Sequence, residues 1–254
     1  MDWRAHIARY GATLLPGEAW ARSLLLVLVL LAAVLRFWDL PHLPYTHDEL
    51  SAITRLYPTL GQTITDGVIA NDTHPPGVQV FEWAWARIFS LREADMKLPF
   101  ILMSLAAIVL LYRFASAWTG TGSALLLATL MASLQYSVFY GQLARPYAAG
   151  LFTTALLADQ LTRWLAFGHR KALIVSALAM VASGYVHHFS LLLAALMAFT
   201  GLLLASSAKR TEWLMACGIA GLLYLPNVPI LFTQLGQGGL AGWLQAPGAD
   251  WLPH

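Results

Sequence analysis

The sequence predicts an all-α integral membrane protein of about seven transmembrane helices, with an interfacial helix in a long first outer loop. Three observations carry this. Hydrophobic residues make up 58% of the 254-residue chain and charged residues only 11%, against about 25% charged in soluble domains. Apolar stretches close to the roughly 20 residues that cross about 30 Å of hydrocarbon recur along most of the chain. The 15 Lys and Arg residues cluster in alternate connections, as the positive-inside rule requires. The formal net charge of +2 is too small to point to nucleic acid. The single cysteine, Cys217, excludes a disulfide framework and a cysteine-based zinc site.

In chain order, residues 1–21 read as a cytoplasmic segment carrying Arg4 and Arg9, with Arg22 at the start of the first apolar run. That run ends in LRFWDLPHLP with no small-residue cleavage motif, so it reads as an uncleaved signal anchor. The predicted spans are 22–38, 98–116, 121–139, 147–166, 172–188, 189–207 and 212–232, forming one polytopic module over 22–232. Between the first two lies the outer loop, 39–97. Within it PGVQVFEWAWARIFS, 76–90, is too short to cross, since about 15 residues at about 1.5 Å each reach only about 22 Å. It also carries Glu82 and Arg87, while Trp83, Trp85 and Phe89 suit the headgroup boundary. With seven spans the inner segments hold Arg113, then Arg163, Arg170 and Lys171, then Lys209 and Arg210. An eighth span would move the last five outside. The N-terminus is therefore expected to be cytoplasmic, in a multi-pass plasma or inner membrane protein. Residues 233–254 form a final outer stretch, flexible at GQGGLAG, 236–242.

The residues suited to chemistry then fall on the outer side. Asp48 and Glu49 are adjacent acids in PYTHDELSAI. Thr46 or Asp48 is a candidate cap for a short helix over 49–57, and the acids either compensate its dipole or supply a general base. His74 stands before Pro-Pro-Gly in NDTHPPG. That string either starts a helix or fixes His74, with Asp72, toward a site. Arg145 in YGQLARPYA runs against the positive-inside bias. It is either a snorkelling arginine or a two-point ligand for phosphate. His187 and His188 mark a helix end. Neighbours on a helix point about 100° apart, so both fit one metal only where the backbone breaks. The two histidines with Asp48, Glu49 and His74 leave a divalent ion open, but at no recognisable ligand spacing, and no obligatory metal is expected.

HDELSA, HPPG before an aromatic amphipathic helix, YGQLARPYA and YVHHFS, in that order, together with YLPNVPILFTQL and WLQAP, resemble the N-terminal half of the GT-C membrane glycosyltransferases, specifically the bacterial relatives of protein O-mannosyltransferases (glycosyltransferase family 39). The resemblance covers nearly the whole chain. Members usually continue further, so 233–254 is expected to open a later outer loop. The resemblance implies transfer of a sugar from a polyprenyl-phosphate carrier to an acceptor (protein, lipid or glycan) at the outer face, usually with inversion. Asp48 takes the place of the catalytic aspartate and Glu49 that of its neighbouring acid. His74 and Arg145 match positions lining the same cavity, and Tyr147, His187 and His188 join them as substrate-binding candidates. No nucleotide-binding glycine loop is needed for such a donor. The alternatives are a non-catalytic or incomplete sugar-lipid-binding subunit, or a lipid or sugar transporter. A transporter calls for charges or broken helices near mid-membrane, for which Asp159 is the best case.

Overall fold

The computed structural model describes residues 16–236, and these form helices joined by short connections, with no strand among them. Arg4, Arg9, most of the 1–21 segment, nearly all of 236–242 and most of 233–254 lie outside the described residues. The helices are α1 (Ala19–Phe37), α2 (His47–Ile53), α3 (Pro76–Ile88), α4 (Glu93–Thr119), α5 (Thr121–Ser133), α6 (Gln135–Gln142), α7 (Pro146–Phe167), α8 (Arg170–Val186), α9 (His188–Leu204), α10 (Ser207–Tyr224) and α11 (Val228–Gly236). Between α2 and α3 a short turn, Leu60–Gln62, widens into π turns over Thr63–Ile69.

Three helical stretches are long and apolar enough to cross a membrane: Ala19–His42, Glu93–Thr119 and Ser207–Gly236. Counting the bent pair α5/α6 as one span makes four. The other expected spans are present as helices, α7 of 22 residues and α8 and α9 of 17 each. The outward faces are those of a lipid-solvated protein: Leu30, Leu203 and Leu222 are all more than 60% exposed. Apolar side chains carry no penalty there, because lipid tails are as apolar as leucine.

Small residues hold the helices together. Along α1 the stripe Ala21, Leu25, Leu28 and Ala32 is buried against Ile108 and Tyr112 of α4 and Ala124, Ala128 and Ala132 of α5. Alanines at these positions let helix backbones approach closely, so packing can replace the absent hydrophobic drive. A second cluster joins α7 to α10, with Trp164 stacked on Trp213 at 5.0 Å. A third, Val78, Met96, Phe100, Ala144, Ala148 and Ala149, anchors α3 and the start of α7 against α4. α3 lies so close to α8 that a Cβ on Gly77 would sit 2.5 Å from the Tyr185 carbonyl oxygen. Glycine in the HPPG string is therefore needed for packing.

Four local details depart from the sequence reading. The first helix of the 39–97 loop runs His47–Ile53 rather than 49–57, because Thr46 is its N-cap and the chain turns at Thr54. The helix expected over 76–90 ends at Ile88. The span expected over 121–139 breaks at Leu134, with a bend of 60° between its halves. Buried charge within the helices is also more abundant than Asp159 alone suggested. Asp159 of α7 faces Arg113 of α4 at 3.1 Å, both almost fully buried, and Arg36 of α1 is buried outright.

Candidate functional site

The site forms where the α2 N-terminus, the loop before α3, the start of α7 and the α8/α9 junction meet. Thr46 and Glu49 make a capping box: Thr46 Oγ1 accepts from the Glu49 N–H, and Glu49 Oε2 accepts from the Thr46 N–H. Glu49 is fully buried, and its other oxygen accepts the Ala144 N–H at 2.8 Å, just ahead of Arg145. Lys97 Nζ lies 3.5 Å from Glu49 Oε2. Glu49 thus ties α2 to the α6/α7 connection and presents neither oxygen to a substrate.

Asp48, one residue earlier, points the other way and its side chain is 50% exposed. Its Oδ2 accepts from the Tyr147 hydroxyl at 3.0 Å and from Arg145 Nε at 3.3 Å. Arg145 is the N-cap of α7 in extended conformation, with Pro146 opening the helix and its own side chain buried. Arg145 Nη2 comes within 3.4 Å of His74 Nδ1. That nitrogen is also 2.8 Å from Asp72 Oδ1. One ring nitrogen cannot donate to a carboxylate and accept from a guanidinium at once. The shorter contact assigns Nδ1–H to Asp72 and leaves Nε2 free.

Asp72 is saturated. Oδ1 accepts the Thr73 and His74 N–H groups as well as the ring, and Oδ2 pairs with Arg55 Nη1 at 2.9 Å. Burial alone would raise the Asp72 carboxyl. The His74 bond and the charges of His74, Arg55 and Arg145 outweigh it and hold the group below its ordinary value. Asp72 therefore orients His74.

The two neighbouring histidines separate because the backbone does break between them. His187 is extended, the C-cap of α8 and N-cap of α9 together. Its Nδ1 accepts the Phe189 N–H, and its ring meets that of His74 edge-on at 5.4 Å. His188 turns instead to Gln234 Oε1 at 3.1 Å, while Gln234 Nε2 donates to the Asp72 and His74 carbonyls. The structure gathers Asp48, His74, Arg145, Tyr147 and His187 into one cluster, and His188 buttresses it from behind through α11. Among the described residues no group of three or more His, Cys, Asp or Glu side chains is placed to hold a metal.

From the Tyr147 and His187 side of this cluster runs an apolar groove of about 460 Å³. Leu134, Tyr140, Leu151, Phe189 and Leu193 line it, between the α5/α6 break, α7 and the start of α9. A charged head with an oily channel beside it calls for an amphiphilic ligand.

The family described as dolichyl-phosphate-mannose-protein mannosyltransferase matches residues 73–230. The chain belongs to this family. Its members are glycosyltransferases, and the chain is a membrane protein of that kind. No curated protein and no solved structure matches it. The mannosyltransferase match takes in His74, Arg145, Tyr147, His187 and His188, while Asp48 and Glu49 precede it.

Four features of this candidate site and its supports escaped the sequence reading: Arg55, Lys97, Gln234 and the true environment of Glu82. Arg55 and Lys97 fall in the predicted outer loop, against the positive-inside bias, so the reasoning that singled out Arg145 applies to them too. Gln234 carries no local signal. Glu82, expected on a solvated interfacial helix, is fully buried and neither carboxyl oxygen has a hydrogen-bond partner. Burial pushes its carboxyl up to about 8, with Arg145 and Arg55 pulling down and Asp72 and Glu49 pushing up.

A pH prediction follows. The ordinary value is 4.5, so between about 4.5 and about 8 the unfolded chain releases a proton that the folded protein keeps. The Glu82 contribution to stability is complete below that window. It falls by about 1.4 kcal/mol per pH unit across it and is gone once pH has passed through the folded value. Thermal unfolding followed from pH 5 to 8.5 should show wild-type stability falling relative to Glu82→Gln as pH rises. Equal slopes in both proteins would show that Glu82 is solvated and ionised.

Proposed function

We propose that the protein transfers a sugar from a polyprenyl-phosphate donor to an acceptor hydroxyl at the outer, extracytoplasmic face of the membrane, with inversion at the anomeric carbon. One observation supports this above the rest. A half-exposed carboxylate, Asp48, is held by a buried arginine and a tyrosine at the mouth of an apolar groove. In this reading the prenyl chain lies in the groove and the phosphate meets Arg145, whose planar fork suits phosphate.

The acceptor oxygen attacks the anomeric carbon as its proton passes to the Asp48 carboxylate. The bond from that carbon to the phosphate oxygen breaks with its electron pair on the phosphate, so configuration inverts in one displacement. A glycosidase needs a second carboxyl group as acid for a poor leaving group. Phosphate departs as a stable anion, and Arg145, with His74 or His187, stabilises its charge. This scheme requires no metal. Glu49 positions Asp48 and Ala144.

The test is transfer of labelled sugar from a polyprenyl-phosphate donor by the longest native form of the protein, with product configuration read by NMR. Mannose, named in the family's description, is the first sugar to try. An inverted product is expected. A retained product, or donor binding without transfer, would replace this reading, the second outcome by a sugar-lipid-binding subunit.

The same proposal carries a topology: seven spans within 22–232, α3 on the outer surface, and a cytoplasmic N-terminus. Seven spans with α3 not crossing put Asp48, His74, Arg145 and His187 on one side with the 163–171 connection opposite, and the basic residues of that connection make its side the cytoplasmic one. Single cysteines at positions 91 and 170, in a Cys217→Ser background, test it with an impermeant thiol reagent. Position 91 should label from outside and position 170 only after permeabilisation. Labelling of 170 from outside would sink the seven-span arrangement.

A further inference from the structure

The break between α5 and α6 is held by side chains rather than by proline or glycine. From Leu130 to Tyr140 the chain reads LMASLQYSVFY, with no proline or glycine. Sharp kinks without such a residue arise where side chains insert into the helical ladder. Ser137 Oγ of α6 supplies one local contact, donating to the Met131 carbonyl at 2.6 Å, and Arg36 of α1 supplies the rest. Its Nη2 donates to the Met131 carbonyl at 2.9 Å, and its Nη1 to the Ala132 carbonyl at 3.3 Å, both at the end of α5. Nη2 also reaches the Ser137 carbonyl at 3.2 Å and Oγ at 3.1 Å, on α6. Nε donates to Ser104 Oγ of α4 at 2.7 Å.

No carboxylate is among these partners, and Arg36 is fully buried. The cation is set against the negative end of α5, where the last carbonyls have no helical partner. Inside a membrane protein such orphans are costly unless satisfied. Two further contacts fix the arrangement. Gln142 Nε2 donates to the Arg36 carbonyl at 3.0 Å, tying the end of α6 to α1. Gly141 leaves room for the guanidinium, since a Cβ there would sit 2.8 Å from Arg36 Nε and 2.5 Å from Ser104 Oγ.

The residues held by this arrangement make one wall of the groove: Met131, Leu134, Tyr136, Ser137, Tyr140 and Gly141 all line it. A straight helix through 121–142 would not open that wall. We propose that Arg36 is a positioning residue for the donor lipid: it holds the α5/α6 break open and thereby sets the preference for a long prenyl chain. The proposal rests on reading the groove as the prenyl site. It assigns Arg36 no contact with phosphate or sugar.

The experiment measures binding of undecaprenyl phosphate and of geranyl phosphate to the full chain in nanodiscs, alongside thermal stability. The wild type should prefer the long chain. Arg36→Met should lose about tenfold in long-chain affinity, about 1.4 kcal/mol, with geranyl phosphate affinity unchanged. Arg36→Lys, which keeps the cation but reaches fewer carbonyls, should fall between. Gly141→Ala keeps the Arg36 side chain and pushes its guanidinium aside with the added Cβ. It should shift the ratio in the same direction and serves where Arg36→Met fails to fold.

A wild-type ratio in the variants that fold overturns the proposal. So does parallel loss of both ligands, which marks a role in folding alone. A wild type that binds both lipids equally removes the prenyl site and this proposal together, while leaving phosphate recognition standing. A wild type that binds neither defeats the donor reading itself.

Discussion

Asp48→Asn is expected to lower sugar transfer by about 10²–10⁴-fold, the usual contribution of a positioned general base, while donor binding and protein level persist. The substitution keeps the shape of the side chain and its acceptor oxygen for Tyr147, and removes the proton acceptor. The structure sharpens the choice among the loop acids. Asp72 has both oxygens engaged by Arg55, His74 and two backbone N–H groups. Asp66 bonds its neighbour Thr65 in the π-turn segment. Glu49 is enclosed by the capping box, Ala144 and Lys97. Asp48 alone of the four belongs to the cluster beside the groove while remaining half open.

Glu49→Gln should therefore act mainly on stability. It places an amide among N–H donors that now meet a carboxylate, at a cost of about 1–3 kcal/mol, and transfer by the folded fraction should fall less than in Asp48→Asn. Should Asp48→Asn turn over within a few-fold of wild type while a folded Asp72→Asn is dead, the base is misassigned.

The helices and the grouping of the site were readable before the structure because both follow from local rules. Apolar runs near span length mark helices. The same basic-residue count that sets the predicted topology puts Asp48, His74, Arg145 and the His pair on one side, and the structure gathers Asp48, His74, Arg145 and His187 with Tyr147 in one cluster. Asp72 orienting His74 was visible as an alternative from a separation of two residues.

What the sequence did not reveal depends on distant partners. The break at Leu134 is held largely by Arg36, almost a hundred positions earlier, so 121–139 read as one continuous helix. Glu82 is buried within reach of Arg145, Asp72, Glu49 and Arg55, groups distant in sequence, which no periodicity announces. Gln234 joins His188 to the Asp72–His74 loop across about 160 residues of chain. It looks like an ordinary polar residue in FTQL. The roles of Asp48 and Glu49 could not be separated by spacing either. The capping box, once formed, turns one inward and leaves the other facing out.

Arg145→Ala is expected to weaken binding of a polyprenyl phosphate by roughly 30-fold to several thousand-fold, the range for truncating one partner of a buried charge pair at about 2–5 kcal/mol. Arg145 is 3% exposed and its Nε faces Asp48, so the guanidinium is oriented before any ligand arrives. Removing it takes away the cation nearest Asp48 and leaves an incoming phosphate facing the Asp48 carboxylate. Arg145→Lys keeps the charge and loses the two-point fork, so its affinity should lie between wild type and alanine. The contrast with Asp48→Asn is diagnostic, since that variant should bind donor and fail to transfer, whereas Arg145→Ala should fail to bind. Affinity for undecaprenyl phosphate and for its phosphate-free alcohol, measured on folded protein in nanodiscs, decides the matter. The phosphate should raise wild-type affinity and add little in Arg145→Ala. If the alanine variant keeps the full phosphate advantage, Arg145 serves only to hold Asp48 and the leaving charge is met elsewhere.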